Sequence, residues 1–131
     1  MKYSVIASGS KGNMTYIQTQ HKRILIDAGI SLREAKKRVS FSLESIDAIF
    51  ITHEHTDHVK FLAKIAKETH ATIYIQRTSF EMLLEKNHIF EGIDVVFIEA
   101  NKRYPLGDVH ILTLRLSHDT TSCLGFIFEE N

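Results

Sequence analysis

The chain has 131 residues, 44% hydrophobic and 24% charged, which suits one domain with one apolar core and excludes a disordered or fibrous polymer. Sixteen basic and sixteen acidic residues cancel, so no bulk field draws in nucleic acid; local clusters such as Lys22-Arg23 and Lys36-Lys37-Arg38 read as solvated helix faces. A single cysteine, Cys123, excludes an internal disulfide and, lying in an apolar run, reads as a buried thiol rather than a nucleophile.

In chain order, residues 3–7 are β-rich, the turn cluster Ser8-Gly9-Ser10-Lys11-Gly12-Asn13 follows, and residues 14–19 alternate as a strand does. Residues 23–28 make a third apolar strand closed by Gly29, and three antiparallel strands joined by short turns are expected. Ser31 can cap a helix over 31–39, with Leu32, Ala35 and Val39 along one face. Residues 47–51 form a short apolar, β-branched run that predicts a buried strand. The spacing of Val59, Leu62, Ala63 and Ala66 predicts a helix over 59–68. A strand at 71–76, a helix at 79–86 and strands at 95–99, 109–116 and 124–128 complete the pattern. With no repeat, low-complexity tract or linker, one α/β (α+β) domain over 1–131 is expected. No stretch approaches the roughly 18–20 apolar residues that cross a bilayer, and the N-terminus is too short and polar for a signal peptide, so a cytoplasmic location is expected.

Chemistry concentrates in Thr52-His53-Glu54-His55-Thr56-Asp57-His58. The strand before it delivers the chain to a sheet edge, where His53 and His55 in extended backbone point the same way and can meet one ion. Asp57 and His58 fall where the chain turns into the next helix and can face a second position, and the helix dipole favours the Asp57 carboxylate there. Imidazole plus carboxylate without thiolate suits a divalent metal, zinc first, with manganese or iron as alternatives. His21, His70, His88 and His110 are scattered and read as ordinary histidines.

This loop resembles the HxHxDH motif of the metallo-β-lactamase superfamily. Together with Ser8-Gly9-Ser10-Lys11-Gly12-Asn13, Leu25-Ile26-Asp27-Ala28-Gly29 and Ser117-His118-Asp119, it is similar to the YycJ/WalJ-type branch, regarded as phosphodiesterases and nucleases. The resemblance implies an αββα sandwich, of which this chain would be the first half only, truncated at its C-terminus. It implies His53, His55 and His118 as ligands of a first metal and Asp57 and His58 as ligands of a second. It further implies Asp57 as the catalytic ligand that orients hydroxide, Asp27 as support for the metal-bearing loop, and Asp119 as a neighbour that orients the cluster. Ser10 and Asn13 would line the rim where substrate phosphate sits. One or two ions are implied, with metal-activated water hydrolysing phosphodiester bonds in a nucleic-acid substrate.

Two alternatives stand beside that reading. One is an incomplete metal-binding half-domain, inactive alone and needing a partner, because the later bridging aspartate and final histidine of the family have no counterpart after Asp119. The other is a hydrolase of thioesters or lactones. A half sandwich would leave one sheet face uncovered, so pairing with another copy or with a complementary C-terminal half is expected, and no membrane is involved.

Overall fold

A computed structural model describes residues 1–43, 45–116 and 123–131. Six strands form one sheet in the order β1 (Lys2–Ala7), β2 (Met14–Gln18), β3 (Arg23–Ile26), β4 (Ala48–Phe50), β5 (Thr72–Ile75), β6 (Val95–Phe97). β1, β2 and β3 pair antiparallel through short turns, as the alternation predicts. β3 through β6 pair parallel, with α1 (Leu32–Arg38), the short α2 (Thr56–Val59) and α3 (Leu62–Thr69), and α4 (Arg77–Glu85) in the connections. Parallel strands require such crossovers.

A second sheet has three antiparallel strands, β7 (Arg103–Leu106), β8 (Val109–Leu116) and β9 (Cys123–Glu130). Sequence pattern misses β7, because Pro105 demotes its four residues; Pro105 is tolerated because β7 is an edge strand. The predicted helix over 59–68 begins earlier and in two pieces, broken near Lys60 and Phe61.

Period-two alternation separates two cores. Tyr16, Leu25, Ile49, Ile73 and Ile75 face Leu32, Ala35, Val59, Leu62, Ile65, Ala66 and Leu83 of the four helices. Ile17, Ile24, Ala48 and Phe50, on the opposite side, pack on Val109, Ile111 and Leu124 of the second sheet. Among the described residues the layers are therefore helices, six-stranded sheet, three-stranded sheet. The C-terminal ends of the parallel strands collect on one edge, and the histidine loop springs from the end of β4.

Candidate functional site: the loop after β4

Asp27 anchors this edge. It ends β3 with φ +66°, a left-handed conformation that Asp adopts more readily than most residues, while its N–H still donates to the Phe50 carbonyl at 2.8 Å. The carboxylate is buried. Oδ1 accepts the Thr52 N–H at 2.9 Å, and Oδ2 accepts the Thr52 hydroxyl at 2.8 Å and His58 Nδ1–H at 2.6 Å. A carboxylate only accepts, so Nδ1 carries a proton, and in the neutral His58 ring Nε2 keeps its lone pair.

That lone pair meets Asn13. Gly9 N–H donates to Asn13 Oδ1 at 3.1 Å, which fixes the amide orientation and turns Nδ2 inward. Nδ2 lies 2.9 Å from the Gly9 carbonyl, 3.1 Å from Asp57 Oδ2, 3.2 Å from the Asp57 carbonyl and 3.3 Å from His58 Nε2. The backbone reinforces this: Asn13 N–H donates to Asp57 O at 2.7 Å and Gly29 N–H to Asn13 O at 2.9 Å. A Cβ on Gly29 would fall on the Asp57 carbonyl, so glycine is what lets the turn at 8–13 and the histidine loop touch.

The structure brings three imidazoles together, with ring centroids 4.4 Å apart for His53 and His55 and 4.1 Å for His53 and His58. Burial lowers the His53 pKa, and the neighbouring His58 and His55 lower it further. For His58, burial pulls the same way, but the hydrogen bond and charge of Asp27, with Asp57 adding, win and raise it. His53 Nδ1 lies 2.9 Å from Thr52 Oγ1, whose own proton goes to Asp27, and 3.6 Å from Cys123 Sγ. Burial and the charges of Asp27 and Glu54 raise the Cys123 pKa, which keeps it a thiol.

Among the described residues the donor set does not complete the expected metal site. Asp57 Oδ2 and His58 Nε2, the atoms expected to hold a second ion, lie 3.7 Å apart, and Asn13 Nδ2 is within 3.1 and 3.3 Å of them. Among the described residues His53 and His55 remain, and two imidazole nitrogens are fewer than the three protein ligands of a catalytic zinc site. His118, expected as the third, and Asp119 lie outside the described residues. Among the described residues no group of three or more His, Cys, Asp or Glu side chains is placed to hold a metal ion. The expectations of a metal-binding protein, of zinc, manganese or iron as cofactor, and of a metal-dependent hydrolase are corrected accordingly.

Beside the loop a cavity of about 550 Å³ is lined by Ser10, Lys11, Gly29, Thr56, Asp57 and Lys60. Ser10 thus stands on its wall, and Asn13 lies behind it against Asp57. Pattern reading passed over Lys11 and Lys60, whose proximity depends on the Gly29 contact. It also passed over Glu54, which is 5% exposed, with Oε1 accepting the Ser79 hydroxyl at 2.9 Å and Oε2 unpartnered among the described residues.

The family profile described as the metallo-beta-lactamase superfamily matches residues 7–125. The chain belongs to the metallo-beta-lactamase superfamily. Among curated relatives it is 30% identical to the exodeoxyribonuclease YycJ of Bacillus anthracis, over 100% of this chain and 51% of that protein. It is likewise 30% identical to the exodeoxyribonuclease WalJ of Streptococcus pneumoniae, over 92% of this chain and 47% of that one. Among solved structures, the Rm3 metallo-beta-lactamase superimposes with a TM-score of 0.76 at 16% identity, covering 98% of this chain and 54% of that one. The metallo-beta-lactamase fold protein YhfI from Bacillus subtilis gives 0.75 at 18%, covering 97% and 57%.

These matches bear out the superfamily, the YycJ/WalJ-like branch and the α/β sandwich fold. Against the expectation that the chain represents only the first half of the family's fold stand a family profile that matches residues 7–125 and solved structures that match over 88–98% of the chain. The chain spans about half the length of the curated relatives it matches. Among the described residues no helix is long and apolar enough to cross a membrane.

Proposed function

We propose that this chain is an incomplete unit of the metallo-beta-lactamase fold, without hydrolytic activity alone, which contributes its loop edge to a larger assembly. The observation that carries this reading is that, among the described residues, no group of three or more His, Cys, Asp or Glu side chains is placed to hold a metal ion, while the Asn13 amide nitrogen sits 3.1 Å from Asp57 Oδ2 and 3.3 Å from His58 Nε2. Support comes also from the curated relatives, of which this chain spans about half. The polymer we assign to the assembly is nucleic acid. Two relatives are named exodeoxyribonucleases, and Lys11 and Lys60 are basic residues lining the cavity beside Asp57.

The test is direct. The purified chain is incubated with single- and double-stranded DNA in the presence of zinc or manganese, and its metal content is measured by mass spectrometry. No cleavage and less than one ion per chain is the expected result. Cleavage by the chain alone that disappears in both His55→Ala and Asp57→Ala would overturn the reading.

A further inference from the structure

Beyond the histidine loop, the next two strands leave the sheet on the same edge. β5 ends at Ile75 and passes through Gln76 into α4, and its register with Phe97 sets the end of β6 beside it. Between these exits and Arg115 of β8 lies a cavity of about 610 Å³, whose lining includes Arg77, Thr78, Phe97, Glu99 and Arg115. It shares no lining residue with the cavity at Lys11 and Lys60. Its volume falls within the roughly 300–1,000 Å³ of sites that hold small ligands.

The lining combines cations with an aromatic ring. Arg77 Cζ stands 4.2 Å over the centroid of the Phe97 ring, and Phe80 meets that ring edge-on at 5.4 Å. Phe97 is 38% exposed, so this stack of ring and guanidinium stands partly open to solvent. A guanidinium laid on a ring keeps its N–H edge for phosphate oxygens, and such a plane also accepts a nucleic-acid base. Arg77 and Arg115 outweigh Glu99 by a single positive charge. That excess suits one phosphodiester, with its single negative charge, better than a polyphosphate chain. The dipole of α4 adds little, because Ser79 in its first turn already donates to the buried Glu54 carboxylate at 2.9 Å. The same bond holds this turn of α4 to the histidine loop.

The exits of β3, β4, β5 and β6 follow one another across the sheet. Lys11 and Lys60 line the cavity with Gly29, just after β3; the histidine loop follows β4; the arginine cavity follows β5 and β6. We propose that the arginine cavity is a subsite for one nucleotide of single-stranded nucleic acid. Arg77 and Arg115 hold its phosphate, and its base lies on the stack of Phe97 and Arg77. A base reaches that stack only when unpaired, so single strands are preferred over duplex. The proposal rests on the assignment of nucleic acid as the polymer and extends its path past the histidine loop.

The full chain is titrated into a short fluorescein-labelled oligothymidylate, and anisotropy is read across a salt series. Arg77→Ala and Arg115→Ala are each expected to weaken binding about tenfold and to flatten the salt slope by up to about 0.7, the share of one single-strand phosphate. Arg77→Lys keeps the slope and still loses affinity several-fold, because an ammonium does not stack. Phe97→Leu, which keeps apolar bulk against Phe80, weakens binding about tenfold at unchanged slope. Glu99→Gln tightens it. Lys36→Ala serves as the control: Lys36 lies in the last turn of α1, which leads to the opposite ends of the parallel strands. Thermal melting checks the folding of every variant. Arginine variants no weaker than Lys36→Ala overturn the subsite; if Lys11→Ala and Lys60→Ala weaken binding in the same series, the nucleic-acid assignment stands without it. Duplex bound as tightly as single strand, with no response to Phe97→Leu, overturns it as well. Absence of binding by the parent chain overturns the subsite and the assignment together, whereas failure of the incomplete-unit reading is seen separately, as DNA cleavage by the chain alone.

Discussion

Replacing Asp27 by alanine isolates what holds the histidine loop to the sheet. The substitution removes an acceptor of three hydrogen bonds, from the Thr52 N–H, the Thr52 hydroxyl and His58 Nδ1. Bonds to a charged acceptor contribute about 1.5–3 kcal/mol each, but they are not additive. His58 keeps 18% side-chain exposure and can rehydrate, and the part-buried Thr52 bonds carry most of the loss, so about 3–4 kcal/mol is expected from the bonds. Alanine at φ +66° adds about 1–2 kcal/mol of backbone cost. The sum, about 4–6 kcal/mol, is a large part of the roughly 7–20 kcal/mol expected for a domain of this size at about 0.05–0.15 kcal/mol per residue. Asp27→Asn keeps the left-handed tolerance and one acceptor for the Thr52 N–H, so it loses only about 1–2 kcal/mol. Urea denaturation of the three proteins measures the order. An alanine variant within about 1 kcal/mol of the parent, or an asparagine variant as weak as alanine, refutes the account of Asp27 as the anchor.

Three further outcomes follow from the same geometry. Gly29→Ala places a methyl on the Asp57 carbonyl, where only backbone can yield, and loses about 1–3 kcal/mol or more in the same denaturation assay. Ser79→Ala takes the one partner of the buried Glu54 carboxylate among the described residues and costs about 1–3 kcal/mol, while Glu54→Gln, which removes a charge with an unpartnered oxygen, costs less. The raised His58 pKa means that the Asp27–His58 pair stabilises fully below the unfolded-state value of about 6.5 and loses that contribution as pH rises through the folded-state value. The depressed His53 pKa acts oppositely, costing stability as pH falls below about 6.5 toward its lowered value. Proton NMR titration follows both rings, and in Asp27→Asn the His58 midpoint should fall.

The sequence by itself determined the elements and their faces. Ile49 and Ile73 belong to one face and Phe50 and Tyr74 to the other by period two alone, and Ser31 announces α1, where its hydroxyl accepts the Glu34 N–H at 3.0 Å. It also located the histidine loop and, through its flanks, the family. Contacts between segments far apart in the chain were beyond it. Asn13 reads as a turn residue, or by resemblance as part of a substrate rim, until the fold sets it against Asp57, 44 positions away, and Glu54 reads as a spacer between histidines until Ser79 meets it. The expected metal donors were legible as residue types, but whether a lone pair faces an ion or a neighbouring N–H depends on what the tertiary structure puts opposite it. Only the tertiary structure put an amide near Asp57 and His58, and only it left Tyr3 and Val5 uncovered, because coverage is a property of how the two sheets overlap and not of either strand alone.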